Sequence, residues 1–365
     1  MKKLAAISLS VCLAVMTAAC GSTQKTVVES SVESQVAQSE TVQSEESSVE
    51  ESVAESSEEA ALFPVTVIDQ MGREVTFEQA PERIVSGYYI STSTLVGLGL
   101  EDKMVGVEAK ADKRPLYKLS APGLLELPSV GTLKEFDLET TVAQNPELVV
   151  LSVKQKGNVA ALEELGIPVL VVNPETKEDL NGMITMLGQM AGVPDRAAEM
   201  IAFGENQEKM IADAVSGEEV PTVYLAGNSA LLSTAGSAMF QSVMIEKACG
   251  TNVAAELEDT YWAEISYEQL LVWNPDYIVL ASDASYTVED VLNDENLASL
   301  TAVMNGNVVK LPGAAESWDS PVPASVLGTV WLASRIHGDK FSAEQYEAAA
   351  KEYYETFYGF TYSEN

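Results

Sequence analysis

The chain predicts an α/β protein of two lobes, each built on a mostly parallel sheet, joined by one long helix, with a ligand cleft between them. Two observations carry the prediction. Asp137 to Leu151 reads DLETTVAQNPELVVL and Ile265 to Leu280 reads ISYEQLLVWNPDYIVL, so Asn-Pro-acid-x-apolar-Val-Leu recurs after 129 residues. In each copy a glutamate (Glu139, Glu268) opens a short amphipathic helix, the proline pushes the asparagine before it out of the helical region, and an apolar strand follows. Between the copies a helical pattern runs from Asp195 to about Val215, with Met200, Ile201, Met210 and Ile211 on one face. At 1.5 Å per residue it is about 30 Å long, enough to cross a lobe.

In chain order, Lys2 and Lys3, an apolar run from Leu4 to Val15, and Thr17-Ala18-Ala19-Cys20 read as a signal sequence over residues 1–19, cut before a lipid-modified Cys20. Residues 20–61 are a Ser/Glu-rich linker with ten Glu and no aromatic residue, too polar to fold. The first lobe spans 62–176: a hairpin around Met71-Gly72, a strand from Arg83, a helix capped by Thr92 or Thr94 and ended at Gly99, a strand at 105–107, the repeated unit, a helix at 159–165 and a strand at 169–172. Residues 177–217 hold two linking helices. The second lobe, 218–340, has strands near 222–226, 276–280 and 307–311, and a helix expected from Ser320-Pro321 to Gly338. Residues 341–365 form a last helix with a capping box from Ser342 to Gln345 and a packing face of Tyr346, Ala349, Ala350, Tyr353, Tyr354 and Phe357.

Composition excludes several functions. The net charge is −34, of which −27 falls on residues 62–365, and such a surface repels nucleic acid. His337 is the only histidine, expected to be structural at the end of a helix. With Cys20 lipidated, Cys249 stands alone as a small buried residue. No zinc site, nucleophile pair, Walker loop or Gly-x-Ser-x-Gly motif is present, so neither catalysis nor a resident metal or cofactor is expected.

The scarce bases are concentrated. Of 21 Lys and Arg, Lys110, Lys113, Arg114, Lys118, Lys134, Lys154 and Lys156 fall between 110 and 156, in loops placed after strands of the first lobe. Ligands of open α/β sheets bind at the carboxyl ends of strands, so these loops should face the crevice and meet an anionic ligand. Tyr88, Tyr89, Tyr117, Tyr261, Trp262, Tyr286 and Trp318 occupy comparable loop positions and could sandwich a planar ligand. Lys110, Arg114, Lys134, Lys154, Tyr88, Tyr89, Tyr261, Trp262, Tyr286 and Trp318 are therefore the candidate ligand-binding residues, with Trp318 favoured because Glu316, Ser317, Asp319 and Ser320 surround it.

The lipobox, the opening VTVIDQMGREVTFEQAPERIVS, the paired Asn-Pro-acid units, the long helix and Trp262 before Ile265-Ser266 together resemble the substrate-binding lipoproteins of ABC importers for ferric siderophores, haem and corrinoids. The resemblance covers residues 62 to 340. It implies Rossmann-like lobes, little hinge closure, attachment to the outer face of the bacterial membrane through lipid on Cys20, and delivery of a small-molecule metal chelate by a monomer to a permease and ATPase complex. It also puts Tyr88, Tyr89, the Thr132 to Lys134 loop, Trp262 and the Trp318 loop in the cleft. The family's two docking glutamates are replaced, by Thr94 in the first lobe and by the Ser237 to Met239 region in the second. An anionic ferric chelate is the first expectation, a corrinoid or haem the second, and a surface protein that binds a partner protein the third.

Overall fold

A strand that is apolar on both faces is buried on both sides, which is the position of a central strand in a parallel sheet covered by helices. Leu148–Ser152 is buried throughout and Tyr277–Leu280 almost so, and each is an inner strand of its sheet. The computed structural model describes residues 62–257 and 262–364. The signal sequence, Cys20, the linker and Tyr261 lie outside the described residues.

The described chain begins with the hairpin β1 (Val65–Ile68) and β2 (Glu74–Phe77). Buried Asp69 fastens it: its carboxylate accepts the Met71 and Arg73 N–H groups, pairs with the Arg73 guanidinium, and accepts Val171 N–H from the neighbouring sheet at 3.0 Å. Then follow β3 (Ile84–Ser86), α1 (Tyr89–Gly97), β4 (Met104–Gly106), α2 (Pro115–Ser120), α3 (Leu138–Ala143), β5 (Leu148–Ser152), α4 (Val159–Glu164) and β6 (Val169–Val172). The first sheet is wholly parallel in the order β4-β3-β5-β6. Two helices lead away from it, α5 (Lys177–Met190), with a Thr176/Asp179 capping box, and the 21-residue α6 (Pro194–Ala214). They pack so closely that a Cβ on Gly188 would come within 2.4 Å of the Ala197 Cβ.

The second sheet contains β7 (Thr222–Ala226), β8 (Ser233–Ala235), β9 (Thr251–Asn252), β10 (Trp262–Glu264), β11 (Tyr277–Leu280) and β12 (Val308–Lys310). Between these lie α7 (Phe240–Lys247), α8 (Tyr267–Trp273), α9 (Val288–Leu292) and α10 (Thr301–Met304). Its order is β10-β8-β7-β11-β12, with β9 also on β7. The strands β7, β9, β11 and β12 run parallel, whereas β8 runs against β7 and β10 against β8, two antiparallel pairings absent from the sequence-based expectation. The connection from β7 to β8 is too short for a helical crossover, so the chain must double back. Both sheets belong to one compact unit.

The two Asn-Pro units are equivalent in detail. Asn145 and Asn274 both adopt the left-handed conformation, with φ of 47° and 41°, and each is followed by a buried proline. The next acid then pins the strand beside it: Glu147 Oε2 accepts Glu82 N–H at 2.7 Å, and Asp276 Oδ2 accepts Thr222 N–H at 2.8 Å.

Two expected helix starts are corrected. The first helix of the chain's first lobe opens at Tyr89, before Thr92 and Thr94, and both threonines are fully buried inside it. Thr92 is committed instead to Glu108, and Thr94 returns its hydroxyl to the Ile90 carbonyl at 2.8 Å. In the second lobe α11 (Val326–Ile336) begins after a 3₁₀ turn at Pro323–Ser325, because Pro323 holds Val322 extended at φ −92°, ψ 158°. His337 caps its end and hydrogen-bonds the Cys249 carbonyl at 3.1 Å. Cys249 is only partly buried, not the buried residue expected, and adopts φ 60°. The last helix, α12 (Ala343–Tyr358), keeps its capping box and buries the whole anticipated face.

Candidate functional site: a cleft between the two sheets

The loops at the carboxyl ends of β3 and β4 form one wall of a cleft, and those after β11 and β12 form the other. From the first wall, Tyr88 and Tyr89 stand at the start of α1 with their rings edge to face at 5.2 Å. Arg114, held extended just before the proline that begins α2, lays its guanidinium 4.0 Å over the Tyr89 ring. Its Nε lies 3.3 Å from Glu108 Oε1. Buried Glu108 also accepts the hydroxyls of Thr92 and Tyr117, each at 2.7 Å. Burial pushes the Glu108 carboxyl up, against the pull of Thr92, Tyr117 and Arg114.

The walls meet directly. Leu116 N–H donates to the Ala315 carbonyl at 3.0 Å, and Ser93 Oγ donates to Glu316 Oε2 at 2.9 Å. Between them a cavity of about 480 Å³ is lined by Tyr89, Arg114, Tyr117, Asp283, Glu316 and Ser320. It adjoins a second, of about 410 Å³, lined by Tyr88, Tyr89, Lys110, Arg114, Thr132 and Lys134. Tyr89 and Arg114 are common to both. Burial raises both Tyr88 and Tyr89 above the ordinary phenol range, so each ring offers the cleft an aromatic face and a neutral hydroxyl. A separate crevice among α5, α6, α7 and α11 is apolar and encloses only about 40 Å³. Among the described residues no group of three or more His, Cys, Asp or Glu could hold a metal ion.

Of the sequence-predicted residues, Tyr88, Tyr89, Lys110, Arg114 and Lys134 are brought together. Lys154 is not: its exposed side chain leaves a 3₁₀ turn capped by Ser152 and lines neither cavity. Trp262 and Tyr286 form a separate cluster at the carboxyl end of β7. Tyr286 donates its hydroxyl to the Gly227 carbonyl at 2.7 Å, and the Trp262 ring lies so near that a Cβ on Gly227 would approach it to 3.0 Å. Trp262 is 39 % exposed. Trp318 is a correction, for it is 1 % exposed, donates Nε1–H to Tyr354 Oη at 2.8 Å and packs on Tyr346 and Tyr362. The polar residues around it in sequence face the cleft and its neighbours while the indole turns inward.

Sequence reasoning missed Glu108, Glu316 and Gln155. Gln155, hidden between two lysines, is buried and joins the loops of the first wall, donating to the carbonyls of Gly87 at 3.0 Å and Thr132 at 3.3 Å. Glu108 could have been noticed as a lone acid directly after an apolar strand.

Two α/β lobes that meet at the carboxyl ends of their strands, linked by a helical pair and enclosing a polar cleft, define an extracytoplasmic solute-binding protein. The chain belongs to the periplasmic binding protein family, whose profile matches residues 84–315. It is 26% identical over 330 residues to the molybdate-binding protein MolA of Haemophilus influenzae, covering 83% of this chain and 93% of that protein. It is also 26% identical over 292 residues to a cobalamin-binding protein of Halobacterium salinarum, covering 77% of this chain and 76% of the other. A periplasmic solute binding protein from Veillonella parvula superposes with a TM-score of 0.71 at 26% identity, covering 82% of this chain and 94% of that one. These relatives are binding proteins and not enzymes. The protein is a substrate-binding component of an ABC transporter.

Proposed function

We propose that the protein captures an anionic metal complex, foremost a ferric chelate of the triscatecholate kind, and delivers it to its permease while anchored to the outer face of the membrane by lipid on Cys20. The observation that carries this reading is Arg114, a cation stacked on Tyr89 and shared by both cavities, with Lys110, Lys113 and Lys134 around it. Arginine suits this place because its planar guanidinium stacks on an aromatic face while its N–H groups remain available to an anion. Cavities of about 480 and 410 Å³ have the size of small-molecule sites, roughly 300 to 1,000 Å³.

A second reading, molybdate, is favoured by the relative of that specificity from Haemophilus influenzae. Such an ion needs only a few water volumes, at roughly 30 Å³ each, and would use the Arg114 corner alone. Cobalamin would rely on the aromatic faces and little on the cations.

The test is a thermal-shift screen against ferric catecholates, ferric hydroxamates, haem, molybdate and cobalamin at low and moderate salt. At 100 times its dissociation constant a true ligand adds about 2.7 kcal/mol of stability. A shift with the ferric catecholate that shrinks in salt supports the first reading. One confined to molybdate or cobalamin replaces it, and no shift at all favours a protein partner in the cleft. Cys20→Ser should abolish metabolic labelling with palmitate; retained label would overturn the anchor.

A further inference from the structure

Glu316 is a carboxylate of the cleft wall without a countercharge in contact. Among the described residues no Lys or Arg nitrogen lies within 4.0 Å of it. Its Oε2 is held by Ser93 of α1 at 2.9 Å. Its Oε1 is 3.5 Å from the hydroxyl of Tyr354 on α12, which is the hydroxyl that accepts the Trp318 indole N–H. On its open side it shares the larger cavity with Arg114 and Tyr89.

The groups facing it from each packed element are Arg114 and Tyr89 from the first wall and Tyr353, Tyr354 and Tyr358 from α12. Asp283 lines the same cavity, while Asp319 turns away to Ser282 at 2.6 Å. The hydrogen bonds from Ser93 and Tyr354 and the charge of Arg114 all favour the charged form of Glu316, but only Arg114 does so as a cation lining the cleft, and an anion bound to it would spend that field and add its own repulsion. Glu108 differs in how firmly its charged form is held, with hydroxyls at 2.7 Å on both oxygens and Arg114 Nε in contact at 3.3 Å.

We propose that Glu316 sets the charge selectivity of the cleft: an anionic ligand is admitted together with one proton from solvent, which the Glu316 carboxyl takes up. This rests on the anionic reading of the same cleft. Burial already pushes Glu316 up to about 7, so the proton is available near neutrality. A neutral ligand would need no proton, and a cationic one would be received by the carboxylate as it stands.

Two measurements test this on the full chain. In the ligand-free protein, tryptophan emission reports on Trp318 through Tyr354. It should titrate near neutrality in the wild type, and that transition should vanish in Glu316→Gln and in Trp318→Phe. Calorimetric titration with sodium molybdate and with a hexadentate ferric triscatecholate, at several pH values in buffers of different ionisation heat, then counts protons. Proton uptake by the wild type should rise from about half a proton per anion near pH 7 towards one above it, with affinity falling up to tenfold per pH unit in that range. Glu316→Gln should lose both the uptake and the pH dependence. An emission transition that survives in Glu316→Gln, or equal proton uptake by the two proteins, overturns the proposal. If neither anion binds either protein while the Glu316 transition is present, the anionic reading has failed, and charge selection falls with it.

Discussion

Arg114 touches a ring on one side and a carboxylate on the other, so truncating it has two separable effects. Arg114→Ala should weaken binding of an anionic chelate by roughly 10- to 100-fold, the equivalent of one charge-assisted hydrogen bond, as read by calorimetry. An unchanged affinity would remove Arg114 from the site. Trp318 and Trp262 make the opposite pair. Trp318→Ala empties a fully buried, hydrogen-bonded position and should cost about 3 to 5 kcal/mol in urea denaturation, whereas Trp262→Ala at an exposed edge should cost far less. Equal losses would contradict their placement. Of the seven bases between 110 and 156, Lys118, Lys154 and Lys156 line neither cavity, while Lys110, Lys113, Arg114 and Lys134 could be picked out in the sequence because bases are rare in an acidic chain. Their carboxylate partners could not, since Glu108 and Glu316 are two acids among 55 and only the fold sets them apart. Trp318 misled for a related reason: a turn sends neighbouring side chains in different directions, so polar neighbours in sequence say little about one indole.

The Asn-Pro-acid unit shows what a single element needs. Asn274 ends α8 in the left-handed region, and its amide also joins Thr301, accepting the backbone N–H at 2.9 Å and donating to the hydroxyl at 2.8 Å. Asn274→Ala should therefore cost about 1 to 3 kcal/mol, from backbone strain and two lost hydrogen bonds together. Asn274→Gly keeps the backbone and loses only the bonds, so it should fall between the wild type and Asn274→Ala in a denaturation midpoint. Should glycine prove no better than alanine, strain is not part of the cost. The unit was readable because proline, asparagine and an apolar run each act within a few residues. The start of α11 was not, because Ser320-Pro321 carries a local start signal that a second proline, Pro323, overrides by holding Val322 extended.

For the whole molecule, two sets of carboxylates act in different pH windows. The capping acids Asp137 and Asp290 are held below the usual range by the backbone N–H groups of Thr140 and Thr287, so they stabilise the fold above their unfolded values and lose that effect as pH falls through their folded ones. Glu316 is raised, so the folded state binds more protons than the unfolded one. Its stabilising effect is complete below the ordinary glutamate value of 4.5 and disappears as pH rises through about 7. The melting temperature should accordingly drop between pH 5 and 8, and more steeply in the wild type than in Glu316→Gln; parallel profiles would show that Glu316 does not titrate in this window. The parallel sheets were legible at this scale from their apolar strands, while β8, β9 and β10 were not. Two or three residues are too few to show a period, and those strands are placed by the edges they pair with, β8 and β9 on β7 and β10 on β8.

The ties of α12 reach both walls of the cleft. Tyr358 donates to the Ser93 carbonyl at 3.2 Å, Ser120 donates to the Tyr358 carbonyl at 2.6 Å, and Tyr354 braces the loop that carries Glu316. In a polypeptide that crosses a membrane amino end first, this helix is the last of the described elements to emerge. Both sheets can therefore pair while their rims are still unlatched, and the cleft gains its clasp only once this helix has emerged. A premature stop before residue 343 would leave two sheets of normal sequence and a cleft without its clasp.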